Sequence, residues 1–171
     1  LQRFRLTQIW SWIYRFGISN FHNMDNISKD LRKDLEKIFK VGRLNVSSKH
    51  VSIDNTVKWL IKLEDGNEVE TVWIPETGRG TLCISSQVGC TLTCKFCHTG
   101  TQRLVRNLTS YEIVGQVMLA MDYLNDWPSS RENRTLSNIV LMGMGEPLFN
   151  YENIKKALKI IMDDSGISLS R

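Results

Sequence analysis

The chain has 171 residues, of which 42% are hydrophobic and 23% are charged, and its formal net charge is +4. This composition is ordinary for a soluble globular protein, and the positive charge is compatible with RNA binding but gives it only weak support. No apolar run approaches the roughly 18 residues that a membrane span requires, and no signal peptide is visible. We therefore expect no membrane partner.

The first region, residues 1–45, is predicted to be a small helical module. A short apolar face is followed by a second helix over residues 29–39, for which Ser28 is a plausible N-cap. The apolar positions of this helix follow the spacing i, i+4, i+7 and i+8, which is typical of a face that packs against a core. These positions are Leu31, Leu35, Ile38 and Phe39.

The second region, residues 46–80, is predicted to be a β-hairpin and linker. Apolar and polar residues alternate from Val57 to Leu63 and again from Val69 to Trp73, and the turn between the two runs contains an Asp-Gly pair. Two runs of period two joined by such a turn are typical of a hairpin.

The third region, residues 81–171, alternates between strand and helix patterns. Its predicted elements are a strand over 81–85, a helix opened by the capping box Thr109-x-x-Glu112, a polar loop over 126–136, a buried strand over 138–142 and a helix over roughly 151–162. This order predicts the start of a parallel α/β sheet, with too few units to close a barrel. The start at Leu1 and the final residues 168–171 both look like the middle of a longer sequence. We therefore expect this chain to be a segment of a larger protein.

Three of the four cysteines form the motif Cys90-x3-Cys94-x2-Cys97, and the fourth is Cys83. Such crowding favours a metal or redox site in a reducing cytosol over disulfides. Three thiolates on one loop can hold three corners of a cubane iron–sulfur cluster and leave one iron open for a ligand. This spacing, with an aromatic residue before the last cysteine, is the signature of radical S-adenosylmethionine (SAM) enzymes. The alternatives are a zinc site, to which His98 could supply the fourth ligand, and unrelated buried thiols.

A second motif, Gly143-Met144-Gly145-Glu146-Pro147, follows the predicted strand over 138–142. Ligands of parallel α/β folds lie at the carboxyl ends of strands, and a carboxylate with exposed carbonyls can hold an ammonium group there. Glycines allow the backbone to approach such a ligand closely. The motif alone is a weak signal, but together with the cysteine loop it predicts that both border one SAM site.

The chain resembles the dual-specificity 23S rRNA and tRNA adenine-C2 methyltransferase family of radical SAM enzymes. The stretches that carry the resemblance are residues 69–75, 81–90, 94–97, 106–109 and 142–148. The fold that it implies is α/β: an accessory helical module suited to RNA binding and a hairpin, followed by the first βα units of a radical SAM (β/α) barrel, truncated.

The resemblance also implies roles for single residues. Cys90, Cys94 and Cys97 would ligate a [4Fe–4S] cluster. Gly145 and Glu146 would contact SAM. The proton acceptor would be Glu70, with Glu76 as the competing candidate, and Cys83 would be one of two catalytic cysteines. On the bare sequence, Cys83 is as well explained as a buried strand residue and Glu70 as a solvated hairpin residue.

In the mechanism that the resemblance implies, the other cysteine is methylated by one SAM, and a 5′-deoxyadenosyl radical from a second SAM activates that methyl group. The resulting radical adds to C2 of adenine, and a disulfide between the two cysteines releases the product. The methyl-carrying cysteine lies toward the C-terminus in the family and is absent from this chain. The implied partners are 23S rRNA, tRNA and an electron donor such as a flavodoxin system, and the implied location is the cytoplasm.

Two other functions stay open on this sequence. The first is the related radical SAM enzyme that methylates C8 of adenine, and the second is a metal-binding RNA module without catalysis. Arg103 and Arg106, which follow the cysteine motif, are candidates for phosphate contacts or for a solvated surface.

Overall fold

The computed structural model describes residues 2–130 and 134–169. Its α-helices are α1 (Arg3–Tyr14), α2 (Lys29–Ile38), α3 (Ser110–Leu124) and α4 (Tyr151–Ile161), and its strands are β1 (Asn45–Val51), β2 (Val57–Lys62), β3 (Glu68–Glu76), β4 (Arg79–Cys83), β5 (Gln87–Val88), β6 (Arg106–Asn107) and β7 (Leu136–Val140). Residues 131–133 of the predicted polar loop, and the terminal residues 1, 170 and 171, lie outside the described residues. No helix in the described part is long and apolar enough to cross a membrane.

The main sheet has five strands in the order β1-β2-β3-β4-β7. Its first four strands are antiparallel neighbours in chain order, and β4 and β7 form its parallel pair. The crossover between these two strands contains the cysteine motif, the short ladder of β5 with β6, and α3. The β4–α3–β7 unit is therefore the parallel α/β part of the fold, and the hairpin extends the same sheet on its other side.

The core lies between the sheet and the helices α3 and α4. Alternate residues of β2 and β3 are buried, and they pack with the apolar face of α3 and with Ile161 of α4. The ring of Trp73 in β3 lies over Gly80 of the adjacent strand β4, where a Cβ atom would be 2.1 Å from the ring carbon Cη2. A side chain at position 80 is thus excluded by the tryptophan.

A second, smaller apolar cluster belongs to the N-terminal helices. Its buried members are Phe21, Met24, Ile27 and Leu35, and residues of α1 pack against it. Ile13 of α1 contacts both this cluster and the main core, and Trp10 donates a hydrogen bond to Asp163 over 3.2 Å. These contacts fix the helical module against the sheet domain. The division into regions 1–45, 46–80 and 81–171 stays a prediction.

Most predicted elements are confirmed, and the differences have physical reasons. The capping box is present, with the Glu112 amide donating to Thr109 Oγ1 and the Thr109 amide donating to Glu112 Oε2. Strand β1 was not predicted because its residues are nearly all exposed, so no alternation marks it. Strands β4 and β7 end two residues earlier than predicted, since their pairing stops where Cys83 faces Val140.

Candidate active site

The predicted site residues lie at one edge of the sheet. Strands β4 and β7 are parallel, so their carboxyl ends meet at the same edge. The cysteine loop, residues 89–103, follows the end of β4, and the glycine turn, residues 143–147, follows the end of β7. The carboxyl edge of a parallel pair is where α/β folds bind ligands, so topology alone brings the two motifs together.

The cysteine loop is closed on itself by backbone hydrogen bonds. The Cys90 amide donates to the carbonyl of Gln102 over 3.4 Å, and Cys90 forms an isolated bridge with Arg103. Inside the loop, the Cys97 amide donates to the Cys94 carbonyl over 3.1 Å. All three cysteines are half-buried free thiols. The loop therefore presents its three sulfur atoms from one short, internally braced segment.

The donor set fits an iron–sulfur cluster. In a cubane each cysteine binds a different iron, so the thiolates need to line a common surface rather than converge on one point. The Leu92 amide donates to Cys90 Sγ over 3.3 Å, and such N–H···S bonds are among the contacts that tune cluster potentials. Within residues 2–130 and 134–169, no group of three or more His, Cys, Asp or Glu side chains converges on a single metal ion. His98 is exposed.

The glycine turn packs directly against the segment that connects β4 to the cysteine loop. The carbonyl of Met144 accepts hydrogen bonds from the amides of Ser86 and Gln87, over 2.8 and 3.1 Å. Gly145 has a φ of +92°, and a Cβ atom there would lie 2.4 Å from Cβ of Gln87. The predicted reason for this glycine was close approach to a ligand. The structure gives it a second reason, since the turn must fit against Gln87.

Glu70 and Cys83 lie on the same face of the sheet. Cys83 faces Val72 across the β3–β4 ladder, and Glu70 is two residues from Val72 along β3. Residues in this diagonal relation are about 7–8 Å apart. The carboxylate of Glu70 pairs with Lys58 Nζ over 3.0 Å. Burial raises the pKa of the Cys83 thiol above its ordinary value, although a backbone hydrogen bond at Met142 acts in the opposite direction.

Glu76, the competing candidate for the proton acceptor, lies at the other end of β3. It pairs with Arg79 over 2.8 Å in the turn between β3 and β4. Because β3 runs antiparallel to β4, the start of β3 is next to the carboxyl end of β4, and its end is remote from it. The topology thus brings Glu70, not Glu76, to the edge that carries the cysteine loop.

Arg106 has a structural position that neither sequence alternative described. Its guanidinium bonds to Asp65 over 2.6 Å and to both oxygens of Glu112 over 2.8 and 2.9 Å. It therefore ties the hairpin turn to the start of α3. Burial would raise the pKa of Glu112, but hydrogen bonds from Arg106 and Thr109 outweigh burial and hold that pKa below its usual value.

The Glu112 carboxylate is therefore expected to contribute stability that depends on pH. A carboxyl whose pKa is lowered by folding stabilises the protein above its unfolded pKa of about 4.3, and this contribution is lost as the pH falls through the folded pKa. We expect Glu112→Gln to lower the free energy of unfolding at pH 7 by about 1–3 kcal/mol, and by less at pH 3. Denaturant unfolding at both pH values measures the difference.

The matched control for this prediction is Glu152→Gln. Glu152 also lies in the first turn of a helix but is exposed. Its replacement should change stability by no more than about 0.5 kcal/mol. A loss in Glu112→Gln that is equally large at pH 3 and pH 7 would show that the ionised carboxylate is not what stabilises the fold.

Three buried amides in this part of the fold were not singled out from the sequence. Gln87, Gln116 and Asn150 are almost fully buried, and each bonds to more than one loop or strand. Asn150, for example, donates to the carbonyls of Ser86 and Leu108, over 2.8 Å in both cases. At Gln116 the available signal was an amide residue inside an apolar helical segment, since such a group is buried only when its hydrogen bonds are satisfied.

Comparison with known proteins agrees with the motifs. Residues 1–41 match the family described as the ribosomal RNA large subunit methyltransferase N-terminal domain. The dual-specificity RNA methyltransferase RlmN of Ruegeria sp. (strain TM1040) is 58% identical over 99% of this chain, which covers 44% of that protein. The protein of the same name from Rhizorhabdus wittichii is 56% identical over 99% of this chain, which covers 42% of it.

The fold also has a solved counterpart. The crystal structure of a radical SAM methyltransferase from Sphaerobacter thermophilus superimposes with a TM-score of 0.86 at 38% identity, over 98% of this chain and 48% of that one. The α/β fold and the resemblance inferred from the motifs are thereby confirmed. The chain is similar in sequence to dual-specificity RNA methyltransferases and in fold to a radical SAM methyltransferase, and it spans less than half the length of each of these proteins.

Proposed function

We propose that this chain supplies the cluster-binding and SAM-binding part of a radical SAM methyltransferase that adds a methyl group to C2 of adenine in 23S rRNA and tRNA. The observation that carries the proposal is the shared edge of the sheet. There the cysteine loop and the glycine turn meet, and Glu70 and Cys83 lie on one face beside them. The whole protein is proposed to act in the cytoplasm with an electron donor such as a flavodoxin.

The binding roles follow from the chemistry of the side chains. Cys90, Cys94 and Cys97 would hold the [4Fe–4S] cluster, and Gly145 and Glu146 would hold SAM by backbone and carboxylate contacts. Glu146 is half-exposed at this edge, and its carboxylate accepts a hydrogen bond only from the nearby Leu148 amide in the described structure, over 3.2 Å. Bound cluster and SAM supply the radical chemistry that an unreactive aromatic carbon requires.

Glu70 is proposed to be the proton acceptor of the reaction, and Cys83 is proposed to be the thiol that forms the disulfide. Glu70 would accept the proton that leaves adenine C2, and Lys58 holds its carboxylate in place. Because burial raises the pKa of Cys83, this side chain is a neutral thiol at neutral pH and keeps its proton until it reacts. It would pair with the second cysteine, which belongs to the part of the family sequence beyond this chain.

The test is product analysis with the full-length protein, reconstituted anaerobically. Iron and sulfide are measured first. The protein is then incubated with SAM, a flavodoxin-type reductant and unmodified rRNA or tRNA, and the nucleosides are identified by mass spectrometry. We expect four irons per chain and 2-methyladenosine. The 8-methyl isomer would identify the related C8 enzyme, and a fully loaded protein that methylates neither RNA would overturn the proposal.

A further inference from the structure

Gln87 connects the two motifs of the proposed site. Its side chain is fully buried, and both its polar atoms are bonded. The oxygen Oε1 accepts from the amides of Thr91 and Glu146, over 3.2 and 3.0 Å. The nitrogen Nε2 donates to Thr91 Oγ1 over 2.9 Å and to Asn107 Oδ1 over 2.7 Å. One amide thus holds the cysteine loop, the glycine turn and strand β6 together.

Each end of this connection leads to a group with a proposed role. Thr91 follows Cys90 directly, and the next amide, that of Leu92, donates to Cys90 Sγ over 3.3 Å. Fixing Thr91 therefore fixes the orientation of the peptide that bonds to a cluster ligand. At the other end, Gln87 holds the amide of Glu146, and Asn107 donates to the carbonyl of Phe149 just beyond it, over 3.2 Å.

The packing makes this connection stiff. Gly145 fits against Gln87 without room for a Cβ atom, so the turn cannot shift toward the loop, and the hydrogen bonds prevent it from moving away. Both hydrogens of Gln87 Nε2 are used in these hydrogen bonds, and a buried amide that loses such a partner is destabilised because water cannot replace it. A displacement of the cysteine loop is therefore transmitted to the glycine turn, and a displacement of the turn is transmitted to the loop.

We propose that Gln87 is a positioning residue that sets the cysteine loop and the glycine turn at a fixed separation, so that SAM bound at the turn reaches the cluster bound by the loop. This proposal rests on the proposed function. It predicts that Gln87 governs the response of the cluster to SAM, whereas the three cysteines govern the presence of the cluster. Gln87 would act through its bonded neighbours Thr91, Asn107 and Glu146.

The experiment uses the reconstituted full-length protein and its Gln87→Met variant. Methionine keeps the length of the side chain and removes its hydrogen bonds. Iron content, SAM affinity by calorimetry, and the electron paramagnetic resonance spectrum of the reduced cluster with and without SAM are measured. We expect normal iron content, a SAM affinity lower by about tenfold, the ratio that one lost hydrogen bond can produce, and a reduced spectral response to SAM.

The matched control is Gln116→Met. Gln116 is also a fully buried amide, but its partners are Thr71, Ser85 and Glu112 rather than the two motifs. Both variants should unfold more easily, and only Gln87→Met should alter the SAM response. Equal loss of SAM affinity in both variants, or a normal response in Gln87→Met, would overturn the positioning role.

A third variant, Thr91→Val, tests the proposal if Gln87→Met fails to bind the cluster. If Gln87→Met does not take up iron, Thr91→Val decides, because it removes only the hydroxyl that contacts Gln87. A weakened SAM response in Thr91→Val supports the proposal, and a normal one overturns it. A wild-type protein that binds no cluster, or whose cluster spectrum ignores SAM, would instead contradict the proposed function and the positioning role with it.

Discussion

Replacing Cys83 by alanine in the full-length protein is expected to trap a covalent protein–RNA adduct. The order of the proposed steps is the reason. Attack on adenine needs the methyl-carrying cysteine outside this chain, whereas release needs the thiol of Cys83. The variant should therefore bind its cluster, cleave SAM and modify RNA once, and then stop.

The adduct is measured on a denaturing gel. A species heavier than the protein should survive denaturation and disappear after digestion of the RNA. Val140→Ala is the matched control, because Val140 faces Cys83 across the β4–β7 ladder and is half-buried like it. The control should lose some stability, by about 1 kcal/mol, and still turn over. A Cys83→Ala enzyme that turns over normally without an adduct would leave Cys83 as a structural residue.

The second large effect is expected at the cysteine loop. Cys94→Ala should abolish the cluster and SAM cleavage together, because the cysteine loop supplies three thiolates and the two that remain cannot hold a cubane that must also present an open iron. Iron content and release of 5′-deoxyadenosine are the measurements. Cys83→Ala is the control, as it removes a cysteine of similar burial that lies on β4 outside the loop. A Cys94→Ala protein with four irons and normal SAM cleavage would exclude Cys94 as a ligand.

The elements of the fold that have a periodic buried face, a turn motif or a capping motif were predicted from the sequence. The hairpin of β2 and β3 has a buried face and an Asp-Gly turn, and α3 has a capping box, so the sequence pattern and the structure agree in both places. Strand β1 depends instead on backbone hydrogen bonds to β2, with exposed side chains on both faces. Backbone pairing leaves no trace in the periodicity of side chains, so this strand could not be predicted.

The residues of the candidate site also fall into those that the sequence predicted and those that it did not. Cysteine spacing and the glycine-rich motif were visible in the sequence because the chemistry requires those residue types at fixed positions. The resemblance favoured Glu70 over Glu76, but the residue pattern did not separate them, since it does not show which end of the strand meets the active edge. Gln87 was part of the matched run, but its hydrogen-bond partner Glu146 is 59 residues further along the chain.

The contact between Trp73 and Gly80 also limits which substitutions can be accepted at these two positions during evolution. A methyl group at position 80 would overlap the indole ring, so alanine there is acceptable only after the tryptophan has become smaller. A smaller residue at position 73 that appears first leaves a cavity in the core, at a cost of about 3–5 kcal/mol if it is alanine. Whichever substitution comes first, the single mutant is less stable than the starting protein. The two positions should therefore be inherited as a pair, and a library that varies them together should recover combinations that single-site scanning rejects.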